Sequence, residues 1–148
     1  MKKLLVIMAL LASWTGSLTA YDDDIGVDVN VSDRAYFNQL QRAILANDEK
    51  WVSKELCSYP FSIFLPAGTV EIKDEKDFKK QFNRIFNSEM KKVLRDQSPN
   101  SLFKNWQGLM IGNGEIWFGE IGVTNKNKMQ LEYKILAINL DALKLQAQ

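Results

Sequence analysis

The sequence predicts an α+β fold: N-terminal helices packed on a curved antiparallel sheet, as a single cone-shaped domain. Three observations carry this. Apolar residues recur at helical spacing in two stretches, Phe37, Leu40, Ile44 and Phe78, Phe82, Ile85, Phe86. Between them, Phe61 to Leu65 and Thr69 to Ile72 flank Pro66-Ala67-Gly68, a strand-turn-strand pattern. The last third is β-rich, with Gly112-Asn113-Gly114 between apolar runs as its clearest hairpin signal.

Taken in order, a first helix capped by Ser32 or Asp33 carries Phe37, Leu40 and Ile44 and ends near Asn47-Asp48. Asp48 caps a second helix bearing Trp51, Val52, Glu55 and Leu56, and Tyr59-Pro60 ends it, because the residue before a proline is pushed out of helical geometry. After the hairpin, Asp74 and Asp77 introduce a third helix with the phenylalanines on one face and Lys76, Lys79, Lys80 and Arg84 on the other. Ser88 caps a short fourth helix with Met90, Val93 and Leu94. Residues 97–107 read as a loop anchored by Phe103 and Trp106. Leu109-Met110-Ile111 then pairs with Glu115 to Phe118, and Met129 to Leu140 forms a long final strand. Leu131, Tyr133, Ile135 and Ala137 share one of its faces, and from Leu136 onward the other face turns apolar as well. The expected domain is 32–140, after a flexible acidic stretch at 21–31 and before a tail at 141–148.

The chain opens with Lys2-Lys3, an apolar run from Leu4 to Ala12, and small and polar residues up to Ala20. A basic end and an apolar run too short to span a bilayer predict a signal peptide at 1–20, cut after Ala20 or alternatively at Ser17. The expected location is the periplasm of a bacterium, or outside the cell, with no lipoprotein anchor and no stable membrane anchor after cleavage. Removing Lys2 and Lys3 from 19 basic residues leaves 17 against 18 acidic ones, a balance that offers no field for nucleic acid.

Composition closes off several chemistries. There is no histidine, which excludes an Asp-His dyad, a Ser-His-Asp triad and a histidine metal site. Cys57 is the only cysteine, so no intramolecular disulfide can form, and its apolar helical surroundings predict a buried, inert thiol. Asn30-Val31-Ser32 is a glycosylation sequon without meaning in a bacterial chain. Asp22, Asp23, Asp24 and Asp28 lack the spacing of a calcium loop, so neither metal nor cofactor is expected. Residues 73–95 hold eight basic and four acidic side chains, read as a solvated helical face.

The order helix, helix, hairpin, helix, antiparallel strands resembles the nuclear-transport-factor-2-like superfamily, which includes SnoaL-like domains. The carrying stretches are Ala46-Asn47-Asp48, Tyr59-Pro60-Phe61, Asp74 to Phe86, and Gly108 to Phe118. The resemblance implies a cone whose open end holds a small ligand or an active site, in a superfamily of isomerases, dehydratases, cyclases and non-catalytic binding proteins. It supports architecture more than activity.

Proton transfer without histidine would fall to Tyr59, Glu115, Glu120 or Tyr133. Each has an equally good reading as an exposed strand residue or a satisfied core hydroxyl, and no catalytic residue is assigned. Aromatic surface is the better lead, since tryptophan suits ligand cavities and partner interfaces alike. Core packing accounts for Trp51 and Trp117 more readily than either. Tyr59, Phe103, Trp106, Trp117 and Tyr133 are the expected contact residues, with Trp106 foremost beside Lys104, Asn105 and Gln107. The expected function is non-catalytic binding of a small apolar ligand or a periplasmic protein partner, with a homodimer left open. A small isomerase or hydrolase, and an immunity or inhibitor protein against a secreted toxin or hydrolase, are the alternatives.

Overall fold

Helix α1 (Val31–Leu45) begins at a capping box. Asn30 Oδ1 accepts the Asp33 backbone N–H at 2.9 Å, and the Asp33 carboxylate accepts the Asn30 backbone N–H at 2.8 Å. The cap is therefore Asn30 rather than Ser32 or Asp33, and the helix starts inside the stretch expected to be flexible. This computed structural model describes residues 27–146. The expected signal peptide and the Asp22-Asp23-Asp24 run lie outside the described residues.

Asp48 caps α2 (Glu49–Glu55) through the Trp51 N–H, as its side-chain chemistry predicts. The helix stops before the Tyr59-Pro60 step, because Leu56 turns to extended geometry and makes a bridge with Ile135. Cys57 follows on this extended segment, donating its N–H to Ile135 O at 2.9 Å. Its thiol is half-buried, not sealed in a helical face. Strands β1 (Phe61–Leu65) and β2 (Gly68–Ile72) form the expected hairpin. Asp74 caps α3 (Glu75–Ile85), while Asn87, not Ser88, caps α4 (Ser88–Asp96). A 3-10 turn at Pro99–Ser101 leads to β3 (Phe103–Asn105) and β4 (Gly108–Ile111), so part of the expected loop is strand. β5 (Ile116–Asn125), β6 (Lys128–Asn139) and a 3-10 segment at Asp141–Gln146 complete the order.

The strands form one sheet in the order β2-β1-β6-β5-β4-β3, with the helices packed on it, so the fold is α+β. The sheet is mixed, not wholly antiparallel: β1 runs parallel to β6, with Ile63 opposite Ile138. The connection between them contains α3, α4 and four strands, long enough to return the chain in a parallel sense.

A bulge rephases β6. Trp117 pairs with Ala137 but Phe118 pairs with Ile135, leaving Leu136 as the extra residue. The expected inward series Leu131, Tyr133, Ile135, Ala137 is thereby corrected to Ile135 and Ile138, both fully buried. Against them pack Phe37, Phe78, Phe82, Phe86, Met90 and Leu94. The Phe82 and Phe86 ring centroids are 4.9 Å apart, and Phe78 meets Phe82 edge-on at 5.9 Å. Aromatic side chains thus fill the space between helices and sheet. No helix among the described residues is long and apolar enough to cross a membrane.

Candidate functional site

The fold brings Asp33, Lys104 and Tyr133 together from α1, β3 and β6. Asp33 is 1% exposed. Tyr133 donates its hydroxyl to Asp33 Oδ1 at 2.7 Å, and Lys104 donates from Nζ to Oδ2 at 2.7 Å. With the Asn30 N–H also on Oδ2, both carboxylate oxygens are engaged. Burial pushes the Asp33 carboxyl upward, but the hydrogen bonds from Lys104, Tyr133 and the Asn30 backbone, with the Lys104 charge, outweigh it. The carboxyl is held below its ordinary pKa.

Tyr133 stacks on Tyr36 of α1, with ring centroids 5.0 Å apart and planes 21° apart. Tyr36 donates its hydroxyl to Glu55 at 2.9 Å. Burial, then the hydrogen bond to Asp33 and the Asp33 and Glu120 charges, push the Tyr133 phenol up; burial and Glu55 do the same for Tyr36. Both phenols therefore stay neutral at physiological pH. This cluster ties α1 to the sheet.

Above the cluster lies an open groove of about 170 Å³ whose lining includes Asp33, Lys104, Trp106, Gly108, Glu120 and Tyr133. Its rim is the β3–β4 turn, where Gly108 has φ +132° and an added Cβ would sit 2.6 Å from Phe118 O. Only glycine lets the turn approach β5 this closely. The turn presents Trp106 at 88% exposure. Such a large apolar side chain in solvent at a polar groove is the site's least satisfied feature.

Of the five expected contact residues, the groove gathers Trp106 and Tyr133. Phe103 does not join them, since strand alternation sends it opposite to Lys104, and it pairs laterally with Met110, itself opposite Trp117. Phe103 and Trp117 thus belong to the other face of the sheet. Neither Phe103 nor Trp106 anchors a loop, both being exposed. Tyr59 is placed elsewhere as well, donating its hydroxyl to Ser53 O at 2.7 Å, and is pushed up to about 12 by burial and by Glu75 and Asp74. An aromatic mouth around Phe103, Trp106 and Tyr59 is therefore not one surface. Glu120 is exposed within the groove, whereas Glu115 is fully buried at the β4–β5 turn and accepts the Asn113 N–H.

Asp33 is the residue the sequence reading misses as a site member, having taken it for a helix cap. Asn30-x-x-Asp33 was a usable capping-box signal for the helix start. Nothing local announces its bonds to Lys104 and Tyr133. Comparison of the chain with family models, with curated proteins and with solved structures gave no match.

Proposed function

We propose that this chain is an exported, non-catalytic binding protein with a nuclear-transport-factor-2-like architecture, and that its groove receives an apolar ligand or the side chain of a periplasmic protein partner against Trp106. The exposure of Trp106 at 88% carries the reading. An indole held in solvent by a tight glycine turn gives up most of its hydrophobic surface on contact, and aromatic anchors of this kind dominate binding energies.

The groove floor supports binding over chemistry. A general base needs a pKa raised toward neutrality and an oxygen open to the substrate proton. Asp33 has its oxygens engaged and its pKa lowered, and Tyr133 and Tyr36 are shifted away from neutral operation. In the interior, Phe37, Phe78, Phe82 and Phe86 occupy the space between helices and sheet.

Affinity capture from periplasmic extract tests the proposal, with protein and small-molecule mass spectrometry of what is retained by the native chain and by Trp106→Ala. Retention of a species by the native protein and its loss with Trp106→Ala is expected. Equal retention by both would sink the groove as the binding site.

A further inference from the structure

The distal half of the β5–β6 hairpin projects as a two-stranded arm. β4 pairs with β5 only through Phe118, and β6 meets β1 at Ile63↔Ile138 and the Leu56 segment at Ile135. From Gly119 to Lys134, β5 and β6 pair with each other, and among the described residues no further strand borders them. On one face of the arm Met129 is 80% exposed and Leu131 67%. A two-stranded ribbon with an open edge and an apolar stripe is marginal alone and a template for another strand.

The direction of the unused hydrogen bonds follows from the turn. Lys126 and Asn127 both have positive φ, 46° and 62°, the geometry of a type I′ two-residue hairpin. Such a turn closes with a hydrogen-bonded pair, here Asn125↔Lys128, and bonding alternates from there. Lys128, Gln130, Glu132 and Lys134 therefore bond back to β5. Met129, Leu131 and Tyr133 turn their N–H and C=O groups toward the open edge.

We propose that this edge of β6 pairs antiparallel with the same edge of a second copy of the chain, with the two-fold axis at Gln130. In that register Met129 and Leu131 each exchange backbone hydrogen bonds with the other residue of the facing copy. The same pairing sets Met129 against Leu131 on the apolar face and Lys128 against Glu132 on the polar face, twice each by symmetry. Within the paired strand residues, 128–132 of each copy, every charge meets its opposite. Sliding one step toward the sheet sets Lys128 against Lys134, and another sets Glu132 against itself, so like charges oppose those registers, while a step toward the turn sets Lys128 against Gln130, loses the opposite-charge pairs within the strands and shortens the overlap to three residues of each copy. A further step runs into Leu56 and Cys57, which already occupy the edge at Ile135. The free edge of β5 lacks this self-complementarity, Glu120 being its only charged residue. The Glu132 contacts with Gln130 at 2.6 Å and Lys134 at 3.6 Å lie along its own strand and leave Lys128 to supply the facing charge. The resulting sheet runs β5-β6-β6-β5 across the two copies and closes the open edge of each arm. It rests on the arm and not on the Trp106 groove.

Analytical ultracentrifugation of the purified protein over a range of concentrations reads the association directly. A monomer–dimer equilibrium is expected, weakened about tenfold by Lys128→Glu or by Glu132→Lys, since each places like charges opposite one another twice. Combining the two substitutions exchanges the charges and restores the dimer. In a Cys57→Ser background, Gln130→Cys places the thiols at a non-hydrogen-bonded pair, where Cα atoms ~4.5 Å apart suit a disulfide. It should form a linked dimer on mild oxidation faster than Thr124→Cys on the other strand. A protein that stays monomeric at all concentrations overturns the proposal. So does a dimer insensitive to the single charge reversals, or equal cross-linking of the two cysteine variants.

Discussion

Tyr133 donates its hydroxyl to Asp33 at 2.7 Å across 100 positions of sequence, joining the first helix to the last strand. The bond shares its carboxylate with the Lys104 ion pair, also 2.7 Å long. Asp33 is almost fully buried and Lys104 is 19% exposed in its side chain, so the pair is screened far less than a surface one. Asp33→Asn would remove the charge that holds Lys104 and set an amide N–H₂ against donors. A loss of about 2–4 kcal/mol at pH 7 is expected, measured by urea unfolding.

The same carboxylate sets an acid limb. Its folded pKa lies below its ordinary value, so the unfolded chain binds its proton first as pH falls. Its stabilisation is present above the unfolded value of about 4 and is lost as pH drops through the lower folded one. Urea midpoints of native protein and Asp33→Asn should therefore converge below about pH 4. A constant gap down to pH 2 would contradict the assignment.

How much of this was legible in the sequence depends on the reach of the interaction. Phe78, Phe82 and Ile85 announced α3, and Gly112-Asn113-Gly114 announced the β4–β5 hairpin, because both signals sit within a few residues of what they determine. The parallel pairing of β1 with β6 has no such local signal. Leu136 as a bulge was hidden for a different reason: strict alternation is the only phase a strand sequence displays, and the extra residue shows itself only against Trp117 and Phe118. At the site, Trp106 and Tyr133 were legible as aromatic candidates. The separation of Phe103 and Trp117 from them follows from which sheet face each strand position takes.

Tyr59 gives an alkaline counterpart to Asp33. Its pKa is pushed up to about 12 by burial and by the charges of Glu75 and Asp74, against about 10 when unfolded. A raised folded pKa means that the contribution is complete below pH 10 and is lost as pH rises toward 12. Tyr59→Phe removes the hydroxyl bound to Ser53 O and should cost about 1 kcal/mol at pH 7. The native-to-variant difference should shrink between pH 10 and 12, read from denaturant midpoints at each pH.

Gly108 supports Trp106 from beneath. With φ at +132° and Phe118 O only 2.6 Å from an added Cβ, alanine there is strained in backbone and blocked by backbone. Gly108→Ala should destabilise by about 2 kcal/mol and displace the turn. Trp106 fluorescence offers a local readout in a variant whose other tryptophans are replaced by phenylalanine: its emission and quenching should change with Gly108→Ala. Unchanged stability and quenching would show that the close approach does not hold the turn.

Trp106 and Phe103 stand three residues apart on opposite sides of the sheet, so their truncations should separate function from proximity. Trp106 is 88% exposed and Phe103 41%, so neither supplies a buried core contact. Trp106→Ala should leave stability within about 0.5 kcal/mol of native, as surface changes do, yet weaken binding of a captured ligand or partner by tenfold or more. Phe103→Ala, facing Met110 and the Trp117 side of the sheet, should leave that affinity unchanged. Calorimetric titration of both variants with the captured species distinguishes the two faces. If Phe103→Ala abolished binding and Trp106→Ala did not, the contact surface would be the outer row Phe103, Met110, Trp117, and the groove over Asp33 would be reduced to a structural tie between α1 and β6.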